Sequence, residues 1–221
     1  MGFSRQLRQE TDDLWQAIFR HPFVQGLGDG TLPEEKFRYW LRQDYLYLKE
    51  YARMFALGAA KAPDLETMGW FARLFDGIVN FEMEGHRRYA QRFGLSLKEL
   101  EEGEMAPTCR AYTRELLYTS WSGSLGELTA SLLPCLEGYA ETADYLAKRG
   151  WPQNPFYREW MEMYTSKEFK ALGEYCAGLL DRLAEGQPED ALRVWRDRYL
   201  HSARFEYLFW EMCWQEEAWP V

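Results

Sequence analysis

Between Phe37 and Phe55 the apolar side chains return at helical spacing: Phe37, Trp40, Leu41, Tyr47, Leu48, Tyr51 and Phe55 share one face. A stripe of about five turns is too long for a strand and commits this stretch to helix packing. The same period recurs along the chain, bounded by caps and breakers. Residues 4–20 form a first amphipathic helix, and HPFVQGLGDGT reads as a glycine-rich turn. Thr31-Leu32-Pro33-Glu34 has the form of a capping box opening a helix to about residue 61. Asp64 caps a third helix ending at Gly94, and residues 96–101 read as a turn. Further helices are predicted from Pro107 to Trp121, from Ser124 to Gly150, after Asn154-Pro155, after Ser166, and from Pro188 to about Trp214. No period-two alternation and no repeat is present. The prediction is one all-α domain over residues 1–221, a bundle joined by short loops.

Composition excludes several classes of partner. The formal net charge is −9 and no run of five like charges occurs, which argues against nucleic acid and anionic membrane surfaces. No apolar run has membrane-spanning length, and the charged start MGFSRQLRQETDDLW is not a signal peptide. Gln6 stands where a myristoylation signal needs Ser or Thr. The four cysteines, Cys109, Cys135, Cys176 and Cys213, lie in predicted helices with no C-x-x-C pair. A reduced, cytoplasmic protein is expected.

The informative residues are polar groups inside apolar stripes. Asp44 interrupts the Phe37–Phe55 stripe, with Tyr47 and Tyr51 one and two turns on. A buried carboxylate without a partner is costly, so Asp44 is expected to have one, either in a core network or in a ligand. The last helix carries Glu206 in the stripe Trp195, Tyr199, Ser202, Phe209, Cys213. The third helix carries Glu82 and His86, four apart, which are expected to pair with each other. Cys135 and Tyr139 share the inner face of LLPCLEGYAE, and Pro134 beside the thiol breaks a local rule of helix interiors. Tyr112 and Tyr164 face inward from two further helices. Two carboxylates, one thiol and several tyrosines turned to one interior suit a flat aromatic ligand. Tyrosine faces stack on such a ring, a carboxylate accepts N–H bonds from its edge, and a thiol can act as nucleophile.

The segments HPFVQGLGDGTLPEEKFRYWLRQDYLYL, CLEGYAETA, NPFYREWMEMYTSKEF and FEYLFWEM together resemble the TenA family, also called thiaminase II, the aminopyrimidine aminohydrolases. The resemblance covers essentially the whole chain. It implies a haem-oxygenase-like all-α fold, a homotetramer, and no cofactor or metal. It also implies that Asp44 holds the pyrimidine by its ring nitrogen and exocyclic amine, and that Tyr47, Tyr112, Tyr139 and Tyr164 shape the pocket. Cys135 would be the nucleophile and Glu206 would manage protons; the cysteine in CLEGY looks like the cysteine-type subgroup. The implied reaction is hydrolysis of an aminomethylpyrimidine, or of thiamin, in thiamin salvage.

Two other functions fit an all-α bundle with these residues. Haem chemistry would use His21 as an axial ligand; di-iron chemistry would need two Glu-x-x-His pairs, which three histidines do not supply at the required spacing. A non-catalytic pyrimidine-binding protein or regulator would keep the pocket and most readily lose Cys135 or Glu206, and both are present.

Overall fold

A computed structural model describes residues 2–220; Met1 and Val221, the two ends of the predicted domain, lie outside the described residues. Twelve α-helices and one π-helical turn make up the regular structure of the described residues, with no strand. They are α1 (Phe3–Glu10), α2 (Asp12–Phe19), α3 (Pro22–Asp29), α4 (Glu34–Lys61), α5 (Leu65–Asp76), the π-turn (Gly77–Glu82), α6 (Met83–Arg92), α7 (Leu97–Glu101), α8 (Pro107–Ser122), α9 (Leu125–Ala147), α10 (Pro155–Thr165), α11 (Lys167–Ala184) and α12 (Glu189–Gln215). Helix α9 lies at the centre, packed on α11, α12 and α10, while α4 packs on α5, α8 and α9. The inner faces of these helices form one core of aromatic and aliphatic side chains.

Four local expectations are corrected. Residues 4–20 are two helices that meet at Thr11, whose backbone leaves the helical region at φ −111° and ψ 14° while its hydroxyl donates to the carbonyls of Leu7 and Arg8. HPFVQGLGDGT is the helix α3, opened by Pro22 at its first turn and capped by the His21 ring, which accepts from the Phe23 N–H. Its glycines serve close packing: a Cβ on Gly28 would lie 2.7 Å from Leu146 Cδ2. Thr31 does not cap α4, since the Thr31 and Leu32 N–H groups both close the end of α3 on the Gly26 carbonyl, after Gly30 at φ 76°. Residues 96–101 are α7, with the capping box Ser96/Glu99. The predicted third helix runs through with a π-turn at Gly77–Glu82; Phe75 just before the turn, expected on the inner face, is exposed, as is Phe81 within it. The predicted cap at Ser124 is a complete capping box with Glu127, and Ser166 caps α11.

Candidate active site

Pro134 lies inside α9, where it cannot donate to the preceding turn. The two carbonyls after Ala130, whose i to i−4 donor Pro134 removes, accept side-chain hydroxyls: Ser131 from Ser202 of α12 at 2.7 Å, and Leu132 from Tyr51 of α4 at 3.3 Å. The irregular turn is thereby tied to two neighbouring helices, and Cys135, the next residue, is held against a cavity of about 560 Å³. Aromatic side chains form a large share of the wall of this cavity, together with aliphatic and charged ones. Asp44, Tyr47, Cys135, Tyr139 and Tyr164 all stand on it. Tyr139, Trp160 and Tyr164 form a triangle of rings, with centroids 4.8 Å apart for Tyr139–Tyr164, 4.8 Å for Trp160–Tyr164 and 5.9 Å for Tyr139–Trp160. Tyr47 and Tyr51 stack at 5.2 Å. The Tyr47 hydroxyl and the Trp160 ring N–H are buried with no hydrogen-bond partner among the described residues.

Tyr112 and Glu206 are not on the wall. They stand one layer behind it: Tyr112 packs on Tyr47 at 5.2 Å, and its hydroxyl donates to Glu206 Oε1 at 2.5 Å. Burial pushes the Glu206 carboxyl up to about 7, the Tyr112 hydrogen bond opposes this, and the charge of Asp44 adds to it. Burial raises the Cys135 thiol well above its ordinary value, and the charge of Glu206 raises it further, while the nearby hydroxyls of Tyr47 and Tyr51 work the other way. The thiol and the Glu206 carboxyl are therefore coupled: an ionised Glu206 favours a protonated Cys135.

The expected pairing of Glu82 with His86 does not form. The His86 Nε2 lies 2.7 Å from Asp44 Oδ2, and Nδ1 lies 3.1 Å from the backbone oxygen of Glu82. Asp44 thus has its partner across the bundle, in a residue whose helix period alone pointed to Glu82. The Glu82 carboxyl stands on the cavity wall beside them, pushed up to about 7 by burial, with the charge of His86 opposing. Trp40, Tyr51 and Trp160 are further wall residues that the stripe pattern had marked only as core. Ser202 was visible as a polar break in the last stripe, and its hydroxyl bridges Tyr112 to the Ser131 carbonyl.

His21 has neither ring nitrogen free for an axial bond: Nδ1 accepts from Phe23, and Nε2 contacts Glu211 at 2.9 Å. No group of three or more His, Cys, Asp or Glu side chains among the described residues is placed to hold a metal, and no described helix is long and apolar enough to cross a membrane.

An aminopyrimidine aminohydrolase of Halalkalibacterium halodurans is 42% identical over 222 residues, covering 99% of this chain and 98% of its own. A TenA homologue from P. horikoshii superposes with a TM-score of 0.90 at 30% identity, covering 97% of this chain and 99% of the other. A Shewanella denitrificans domain described as having a heme oxygenase-like fold superposes with a TM-score of 0.77 at 14% identity, covering 96% and 92% of the two chains, which establishes the fold class alone. The TENA/THI-4/PQQC family model matches residues 8–216, and the chain belongs to that family.

Proposed function

We propose that this protein is an aminopyrimidine aminohydrolase, a thiaminase II of the cysteine type. It hydrolyses 4-amino-5-aminomethyl-2-methylpyrimidine to the hydroxymethylpyrimidine and ammonia, and acts on thiamin with release of the thiazole. The observation that carries this reading is the Cys135 thiol on the same cavity wall as the Asp44 carboxylate. Asp44 accepts N–H bonds from the aminopyrimidine edge, and the rings of Tyr139, Tyr164 and Tyr47 enclose its faces. The thiol gives up its proton and the thiolate adds to a ring carbon, which breaks aromaticity. The ring electrons then expel the amine from the methylene, and the amine leaves as ammonia after taking a proton. Water adds to the methylene and loses a proton, and the thiolate departs as the ring is restored. Glu206, poised near neutral, is the group that takes and returns protons. It stands behind Tyr47, so a water molecule or a side-chain rotation carries the proton to the reacting atoms.

The homotetramer that the family resemblance implies is supported by exposed apolar side chains on one segment. Leu65, Met68, Phe75, Val79 and Phe81 are exposed together along α5 and the π-turn.

Ammonia release from the aminomethylpyrimidine tests the reaction, with free thiazole from thiamin measured in parallel. The aromatic enclosure favours the smaller leaving group, so kcat/KM is expected to be higher for the aminomethylpyrimidine. Cys135→Ser should retain pyrimidine binding and lower kcat by roughly a hundredfold or more, because a hydroxyl is a far weaker nucleophile. Near-parental turnover in that variant would remove covalent catalysis, and binding of the pyrimidine without any turnover in the parent would favour the non-catalytic alternative.

A further inference from the structure

His86 is one of three histidines in the chain, and its two ring nitrogens have unusual company. Nδ1 meets the Glu82 backbone oxygen at 3.1 Å, and Nε2 meets Asp44 Oδ2 at 2.7 Å. A carbonyl oxygen only accepts, so Nδ1 must carry a proton. A second proton must then sit between Nε2 and the carboxylate, and a neutral imidazole has none left to give. Of the two possible owners, aspartic acid is the stronger acid by between two and three powers of ten, roughly, so the ring keeps that proton. We propose that His86 is an imidazolium that holds Asp44 ionised and fixes the orientation of its carboxylate, which makes His86 a positioning residue for the aminopyrimidine edge.

The surroundings agree. His86 is 5% exposed, and burial opposes its charge, but the hydrogen bond and charge of Asp44, followed by the charge of Glu82, raise its pKa above the ordinary histidine value. The titratable groups around His86 come from several elements, and of these Asp44 and Glu82 act on it directly. Helix α4 brings Asp44 and the Tyr45 ring, at 6.5 Å; the π-turn brings Glu82; Tyr164 of α10 stands on the same wall. Arg87 of α6 and Glu101 of α7 both bond to the Tyr45 hydroxyl. His21 shows the opposite arrangement within the same molecule. Its Nδ1 accepts from the Phe23 N–H, so that nitrogen must be bare and the single proton lies on Nε2, toward Glu211. Burial lowers its pKa, against the pull of Glu211.

The consequence for the ligand rests on the reading of the cavity as a pyrimidine site. With Oδ2 engaged by His86, an ionised Asp44 accepts one bond from the exocyclic amine and a second from the ring nitrogen only if that nitrogen bears a proton. The site then favours the aminopyrimidinium form, which is also the better acceptor for an incoming thiolate.

Nitrogen-15 NMR of protein labelled at its histidines tests the proton count, with assignment by His201→Gln and Asp44→Asn. At about pH 7.5, both ring nitrogens of His86 should be protonated, while His21 shows one protonated and one bare nitrogen. Asp44→Asn should lower the His86 pKa by about one unit or more. A bare ring nitrogen on His86 in the parent, or no response to Asp44→Asn, overturns the proposal. The positioning role is read by His86→Gln, which keeps an N–H toward Asp44 but no charge. It should raise KM for the aminomethylpyrimidine about tenfold or more with a much smaller change in kcat, and unchanged KM would refute the role. If the parent neither binds nor turns over the pyrimidine, the functional reading fails while the NMR result still decides the protonation of His86.

Discussion

The Glu206 carboxyl ends a chain of hydroxyls whose protons can be counted. Ser131 contributes a carbonyl, which only accepts, so the Ser202 hydroxyl donates to it at 2.7 Å. Tyr112 has one proton and two oxygen neighbours, Ser202 Oγ at 2.9 Å and Glu206 Oε1 at 2.5 Å. With Glu206 ionised, Tyr112 donates to it and the contact with Ser202 holds no hydrogen. With Glu206 protonated, the carboxyl donates to Tyr112, Tyr112 to Ser202 and Ser202 to Ser131, and every contact is satisfied. The hydroxyl chain can thus accommodate either state of Glu206, and burial, which raises its pKa to about 7, keeps both forms within reach near neutrality. Removing the Ser202 hydroxyl should free the Tyr112 proton for the carboxylate and stabilise its ionised form. Ser202→Ala is therefore expected to move the limb of the pH–rate profile that Glu206→Gln abolishes toward acid by about half a unit to one unit. Ser202→Thr, which keeps the hydroxyl, should leave it in place. A limb that stays put in Ser202→Ala would sever Ser202 from the ionisation of Glu206.

At the scale of the element, α9 works because it is thin where its neighbours are thick. A Cβ on Gly138 would lie 2.4 Å from Trp15 Cη2, so the α2–α9 contact depends on that missing atom. Gly138→Ala should cost about 1–3 kcal/mol of stability through overpacking, measured as a lower Tm, and a Tm equal to the parent's would show that α2 yields freely. Such tertiary demands explain which elements could be seen in the sequence. Ser124 and Ser166 were legible because a cap is settled within four residues, and α9 and α12 were legible from their stripes. Asp44 and Glu206 stood out as polar breaks in the stripes of α4 and α12, and Cys135 by the Pro134 beside it; Asp44 and Cys135 meet on one cavity wall, with Glu206 behind it. Helix α3 was not legible, since its glycines answer to Leu32 and Leu146, far from the local turn rules that they otherwise signal. The π-turn was hidden because no cap or breaker marks it, and Ile78, Glu82 and His86 keep a four-residue spacing across it. His86 was misassigned to Glu82 for a related reason. Spacing reports neighbours on one helix, and the partner that matters, Asp44, comes from 42 residues away. The division between a cavity wall and the layer behind it, which sets Tyr112 and Glu206 apart from Tyr47, is a matter of depth that helical periodicity does not encode.

For the molecule as a whole, ionisations that the fold resists set how stability depends on pH. Burial raises Glu206 and Glu82 to about 7 and Glu137 to about 8, each from an ordinary 4.5. A carboxyl raised on folding favours the native state below the unfolded value, and that advantage is lost as pH climbs through the folded one. His86 acts in the same direction: its pKa is raised, so its contribution is full in acid and declines as the imidazolium deprotonates. His21 acts on the other side, because its pKa is lowered and the unfolded chain gains a proton as pH falls below the ordinary histidine value. Glu211, Glu99 and Asp64 are lowered by hydrogen bonds, but they are exposed or nearly so, and their stabilisation fades only toward strong acid. The excess of acidic groups, net −9, adds repulsion as the buried carboxyls ionise. Stability should therefore peak near pH 5–6, roughly, and fall steadily to about pH 8.5. Glu137 allows this to be tested away from the cavity. It sits on α9, where burial raises it first, the charges of Glu141 and Asp181 push it further, and Arg8 pulls against them. One pKa unit corresponds to about 1.4 kcal/mol, so Glu137→Gln, which cannot ionise, should remove a measurable part of the alkaline loss. The measurement is Tm across the pH range for parent and variant, with turnover as a control. The variant's Tm should fall less between pH 6 and 8.5, roughly, while its turnover stays at the parental level. Parallel Tm curves for the two proteins would mean that the Glu137 carboxyl ionises as readily in the fold as in the unfolded chain.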